Sequence, residues 1–131
     1  MRWVLTLGFL LIAMTASATT GGKLNNHCKT GEGTALSSSI PFGTCLGYST
    51  AVMEAMIANG QQGMPASHAS SDNKLRRGHL GVWNACFPVK VNPGDARDVA
   101  KTFINAYPRR HNEDAVLLVA EALAKAFPCQ N

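Results

Sequence analysis

Four cysteines placed behind an apolar leader constrain this chain more than any other feature. Cys28, Cys45, Cys86 and Cys129 all follow an N-terminal stretch in which Arg2 supplies positive charge and Trp3 to Ala16 form a largely apolar run of 14 residues. Ala16-Ser17-Ala18 then offers the small-x-small pattern that a signal peptidase reads. A bilayer span needs roughly 18–20 apolar residues, and Thr15, Ser17, Thr19, Thr20 and Gly21 interrupt the run too early for one. Residues 1–18 therefore read as a secretory signal peptide, and 19–131 as one exported, periplasmic domain. No cysteine follows the cleavage point directly, so a lipid anchor is not indicated. An even cysteine count in an oxidising compartment reads as two disulfides. The alternative of a metal site finds no C-x-x-C pair, and separations of 17, 41 and 43 residues fit no compact zinc module. His27 adjoins Cys28, but sequence neighbours do not share a helix face, so a catalytic Cys-His pair is not supported.

The 131 residues suffice for one core and not two. The net charge is +4, from 12 basic and 8 acidic side chains, and cleavage after Ala18 removes only Arg2 from that balance. The cations are scattered rather than gathered into the stripe that neutralising phosphates requires, so nucleic acid is not an expected partner. With 46% hydrophobic residues the chain is too apolar for wholesale disorder.

Along the mature chain, Leu24 and Cys28 at i,i+4 allow a short helix. Residues 29–43, rich in Gly and Ser and ending in Pro41-Phe42-Gly43, read as a loop. From Thr44, the recurrence of Cys45, Tyr48, Val52, Ala55 and Met56 predicts a helix of about four turns that stops at Asn59-Gly60. Residues 59–73 are polar and aperiodic, and long loops of this kind are often functional. The pattern assigns no secondary structure to 74–85. Asn92-Pro93-Gly94-Asp95 is a helix start, with Asn92 as cap and Pro93 where no donor is lost. Ala96, Val99, Ala100, Phe103, Ala106 and Tyr107 form its apolar stripe until Pro108. A second start follows at Asn112, with Glu113 and Asp114 in its first turn, and Val116, Val119, Ala120, Leu123 and Phe127 on its face. The fold class expected is all-α: a small helical bundle with a C-terminal antiparallel helix hairpin, stapled by two disulfides. If those helices run antiparallel, the end of the second lies beside the start of the first. That brings Cys129 near Cys86 and leaves Cys28 for Cys45.

Cys45-Leu46-Gly47-Tyr48 opening a helix, Cys86-Phe87-Pro88 ahead of an Asn-capped helix, Tyr107-Pro108 ending it, and Ala122-Leu123-Ala124-Lys125-Ala126-Phe127-Pro128-Cys129 at the C-terminus occur in order. Together they resemble the Rap/Tai family of type VI secretion amidase immunity proteins, over roughly residues 24–129. The resemblance implies an all-helical, disulfide-stapled periplasmic protein that often forms a homodimer. Such a protein neutralises a peptidoglycan-cleaving amidase by plugging its active-site cleft.

Two basic groups are candidates for partner contact: Lys74, Arg76, Arg77 and His79 beside the polar loop, and Arg109, Arg110 and His111 in the turn between the last helices. One reading is solvated loop charge. The other places Met64, His68, Lys74, Arg76, Arg77, Arg109 and Arg110 against an acidic or polar cleft, with the 59–74 loop and 108–112 turn as contact elements, because complementary charge speeds encounter and fixes register. Tyr48, Met53 and Met56 fit a core stripe better than a contact surface. His68, His79 and His111 lack ligand spacing, so no metal or other cofactor is expected. Neither a Ser-His-Asp order, a paired-carboxylate motif nor a phosphate loop is recognisable, and no catalytic residue is assigned. The competing function is a periplasmic chaperone or cell-envelope accessory binding protein without a toxin partner.

Overall fold

The computed structural model describes residues 17–61 and 75–130. The signal segment up to Ala16, most of the expected 59–73 loop, and Met64, His68 and Lys74 lie outside the described residues. The element order is α1 (Gly21–Cys28), α2 (Leu36–Gln61), β1 (Leu75–Leu80), β2 (Trp83–Pro88), α3 (Pro93–Ala106), a 3-10 turn (Pro108–Arg110) and α4 (Ala115–Ala126).

The all-α expectation is overturned by the antiparallel pair β1–β2. Its register pairs Arg76 with Phe87, Gly78 with Ala85 and Leu80 with Trp83, and this set turns toward the core. Leu75, Arg77, His79, Asn84 and Pro88 alternate with it and are exposed. The turn is Gly81-Val82, with Gly81 at φ +58°, a backbone region that costs glycine little. One inward position of β1 is an arginine and another a glycine, so the strand carries no hydrophobic alternation in its sequence. Glycine is needed at Gly78 because a Cβ there would stand 2.8 Å from the Met56 carbonyl carbon and 2.9 Å from the Phe87 ring. The hairpin lies this close to α2.

Two more boundaries differ from expectation. Helix α2 begins at Leu36, inside the expected 29–43 loop, and runs through Pro41. Pro41 cannot donate to the carbonyl four residues back, but that residue, Ser37, is exposed and can be hydrated. The same helix continues through Asn59-Gly60 to Gln61. Gly60 serves there as a point of close approach, since a Cβ would collide with the Arg77 carbonyl. At the other end of the chain, α4 starts at Ala115 rather than in the turn after Asn112, with Asp114 at its N-cap.

Elsewhere the local chemistry acts as read. Asn92 accepts from the Asp95 N–H at 3.1 Å while Asp95 accepts from the Asn92 N–H at 2.9 Å, a reciprocal capping box. Asn92→Ala is expected to cost about 1 kcal/mol, measurable as a lower urea midpoint with unchanged slope. The disulfides join Cys28 to Cys45 and Cys86 to Cys129, with Cα separations of 5.1 and 4.9 Å. Both clamp elements distant in sequence around a core whose largest fully buried members include Leu24, Met56, Phe87, Ile104, Leu118 and Leu123. The chain just before α1 is stitched to the start of α4, where Ala115 donates to the Thr19 carbonyl and Gly21 to that of Glu113, both at 2.8 Å. No helix among the described residues is long and apolar enough to cross a membrane.

Candidate protein-binding surface

The expected basic group of β1 divides, because neighbouring residues of a strand point to opposite faces. Arg77 shares the solvent face with His79, whereas Arg76 turns inward opposite Phe87 and has its Nε buried without a hydrogen-bond partner among the described residues. The hairpin also gathers exposed apolar side chains. Leu75 is 51% exposed and Val82, at the turn, 82%, while Val89 just beyond β2 is 52% exposed. Between residues 75 and 90 there are three formal cations, Arg76, Arg77 and Lys90, and no acid. The apolar succession Leu75, Leu80, Val82 and Trp83 reads in sequence as the chain returning to the core, but only Leu80 and Trp83 pack against it, while the turn carries Val82 outward and Leu75 stays exposed.

The second basic group also divides. Arg109 is exposed, but Arg110, half-buried, is committed to ion pairs within the protein. Its Nε and Nη2 each donate to the Glu113 carboxylate at 2.9 Å, and Nη2 donates to Glu121 at 2.8 Å. Lys125 closes the chain of charges with an ion pair to Glu121 at 2.8 Å. Glu121 is largely buried, so two cations are needed to compensate it. The hydrogen bond from Arg110 holds the Glu121 carboxyl below its ordinary 4.5, against the opposing effect of burial and with help from Lys125. Arg110 likewise lowers Glu113, and the two carboxylates, Glu113 first, raise the guanidinium further above its usual range. His111 lies alongside, its Nε2 2.9 Å from the Ile104 carbonyl oxygen. The sequence offers no signal for the Arg110–Glu121 pair, 11 residues apart and on different elements.

A carboxyl whose folded value is depressed contributes stability above its unfolded value, and that contribution is lost as pH falls through the folded one. The melting temperature should therefore fall below about pH 4.5 more steeply in the wild type than in Glu121→Gln. At pH 7 that variant should be less stable by about 2 kcal/mol, since Arg110 and Lys125 lose their shared counter-charge. Calorimetry between pH 3 and 7 checks both statements.

The apolar stripe expected on α3 is rotated. Ala96, Arg97, Ala100 and Ile104 are its buried residues, while Val99 and Phe103 are half-buried and Tyr107 is 44% exposed. Arg97 is accommodated by stacking 4.5 Å over Phe42 and donating to Asp98 and to the Thr30 carbonyl. The rotation leaves an open apolar groove of about 530 Å³ between α3 and α4, walled by Phe103, Tyr107, Ala122 and Ala126. Lys125 lies 5.2 Å above the Phe103 ring at its edge. Tyr48 packs half-buried against the core, where burial, and secondarily Asp114, raises its phenol above the usual value.

The basic groups are not brought together. β1 packs on α2, β2 and α4, whereas the 3-10 turn packs on α1 and α3. Arg77 and Arg109 thus present positive charge at separate places, and neither has an ion-pair partner among the described residues. A small scaffold clamped by two disulfides thus carries exposed apolar and cationic side chains on its hairpin. A family model described as Rap1a immunity proteins matches residues 20–129, and the chain belongs to that family. Membership implies a partner effector protein. No curated protein and no solved structure matches the chain.

Proposed function

We propose that this chain is a periplasmic immunity protein that binds a type VI secretion peptidoglycan amidase and occludes its active-site cleft. The observation that carries the reading is the family match across residues 20–129. The amidase target follows from the four ordered motifs that resemble the Rap/Tai proteins. The periplasmic location is supported by the signal-like residues 1–18 and by two disulfides, which persist in oxidising compartments. The surface suits such a role: Arg77 and Arg109 are exposed cations without internal partners, available to steer association with an acidic protein.

The direct test is co-purification of the chain with an amidase encoded beside it, read by light scattering after size exclusion. A stoichiometric complex that survives dilution to nanomolar concentration is the expected result. Two species that elute separately at micromolar concentration would reject the reading.

A further inference from the structure

We infer that the β1–β2 hairpin is the element that enters the partner, with Val82 as its apolar anchor and Arg77 on its rim. The inference rests on the immunity reading and names the surface used. The occupant it fits is a protein cleft with an apolar floor and carboxylates around its mouth.

Val82 is the most exposed of the large hydrophobic residues among those described, at 82%, and it stands at the tip of a two-residue turn. An aliphatic side chain held out in water at a turn gains about as much on entering a dry pocket as one buried in folding. Two more exposed aliphatics, Leu75 and Val89, flank the base of the same hairpin. Every formally charged side chain of residues 75–90 is positive, so a carboxylate-rimmed cleft is favoured and a basic one repelled.

The hairpin is also pre-organised. Cys86 is tied to Cys129 by the disulfide, and its N–H donates to the Phe127 carbonyl at 2.8 Å. On the other strand, Asn59 of α2 donates to the His79 carbonyl at 3.2 Å, and Gly60 and Gly78 let the two backbones touch. Phe87 anchors the base with a fully buried ring. An element fixed in this way loses little conformational freedom on binding, so its contacts are expressed as affinity. The α3–α4 groove lacks that charge argument, since its Lys125 is already paired with Glu121.

The test is protection of cells. A strain deleted for this chain is complemented with wild type, Val82→Asp, Arg77→Glu or, as a control on α1, Lys23→Glu, and each is mixed with parental attacker cells. Val82→Asp is expected to reduce survival at least 10-fold, and Arg77→Glu to reduce it less, with an effect that shrinks as salt rises. Lys23→Glu should protect fully, and all the purified variants should melt as the wild type does. Val82 and Arg77 are both solvent-exposed, so if one variant accumulates poorly the other carries the test. Full protection by both hairpin variants would overturn the inference while leaving the immunity reading intact. Survival of the uncomplemented strain would overturn the immunity reading, and the inference with it.

Discussion

Replacing Cys86 and Cys129 together with serine is expected to remove about 4 kcal/mol of stability, because that bond closes a loop of 43 residues and so restricts the unfolded chain most. For a domain whose whole margin is about 5–15 kcal/mol, this is a large share. The effect should be visible as a shift of the urea midpoint. The matching change at Cys28 and Cys45, spanning 17 residues, should cost about 3 kcal/mol. The two losses should differ in where they act. Opening Cys86–Cys129 frees the C-terminal segment from β2, so amide exchange should rise first at Cys86, whose N–H is held by Phe127. Opening Cys28–Cys45 frees α1 from α2 and should leave the hairpin amides protected. A midpoint that did not move in either double variant would mean that non-covalent packing alone carries this fold.

Phe87→Ala should be comparably severe, at about 4 kcal/mol. The Phe87 ring is fully buried, lies 5.5 Å from the Phe127 ring centre, and fills the space beside Gly78 where strand and helix nearly touch. Its removal leaves a cavity bounded by backbone on one side, which cannot collapse to fill it. Val89→Ala, two residues on and 52% exposed, should change the midpoint by less than about 0.5 kcal/mol. Parallel urea titrations of the two variants give the contrast directly.

The parts of the fold that were legible in the sequence are those set by local chemistry. Asn92-Pro93-Gly94-Asp95 carries its own cap, and the cap forms. Leu24 and Cys28 mark α1, and the close succession of the last two helices makes the Cys86–Cys129 pairing deducible from the sequence. What was not legible depended on tertiary context. Pro41-Phe42-Gly43 reads as the end of a loop, yet Pro41 lies in the exposed half of α2, where an unpaired Ser37 carbonyl costs little. Gly60 looked like a stop, yet its missing Cβ is what admits the Arg77 backbone. β1 reads Leu-Arg-Arg-Gly-His-Leu, with a glycine and an arginine at inward positions, so its period of two is invisible. In β2, Trp83, Ala85 and Phe87 do alternate, and that was the signal by which the all-α expectation could have been avoided.

The candidate surface was legible only as composition. Runs of arginine can be read off directly, but whether each arginine meets solvent depends on strand parity for Arg76 and Arg77. For Arg110 it depends on carboxylates that the fold brings from the next turn and from α4. Arg77 and Arg109 remain as exposed cations among the described residues. Val82 joins them because a hairpin turn carries it outward.

The central claim is that a rigid, oxidised scaffold blocks another molecule's catalytic cleft, and a titration of peptidoglycan cleavage tests it most directly. The proposed partner amidase is held at fixed concentration while the oxidised protein is added. Cleavage should fall linearly and vanish at one equivalent. Undiminished cleavage at a tenfold excess of native, disulfide-bonded protein would contradict the account.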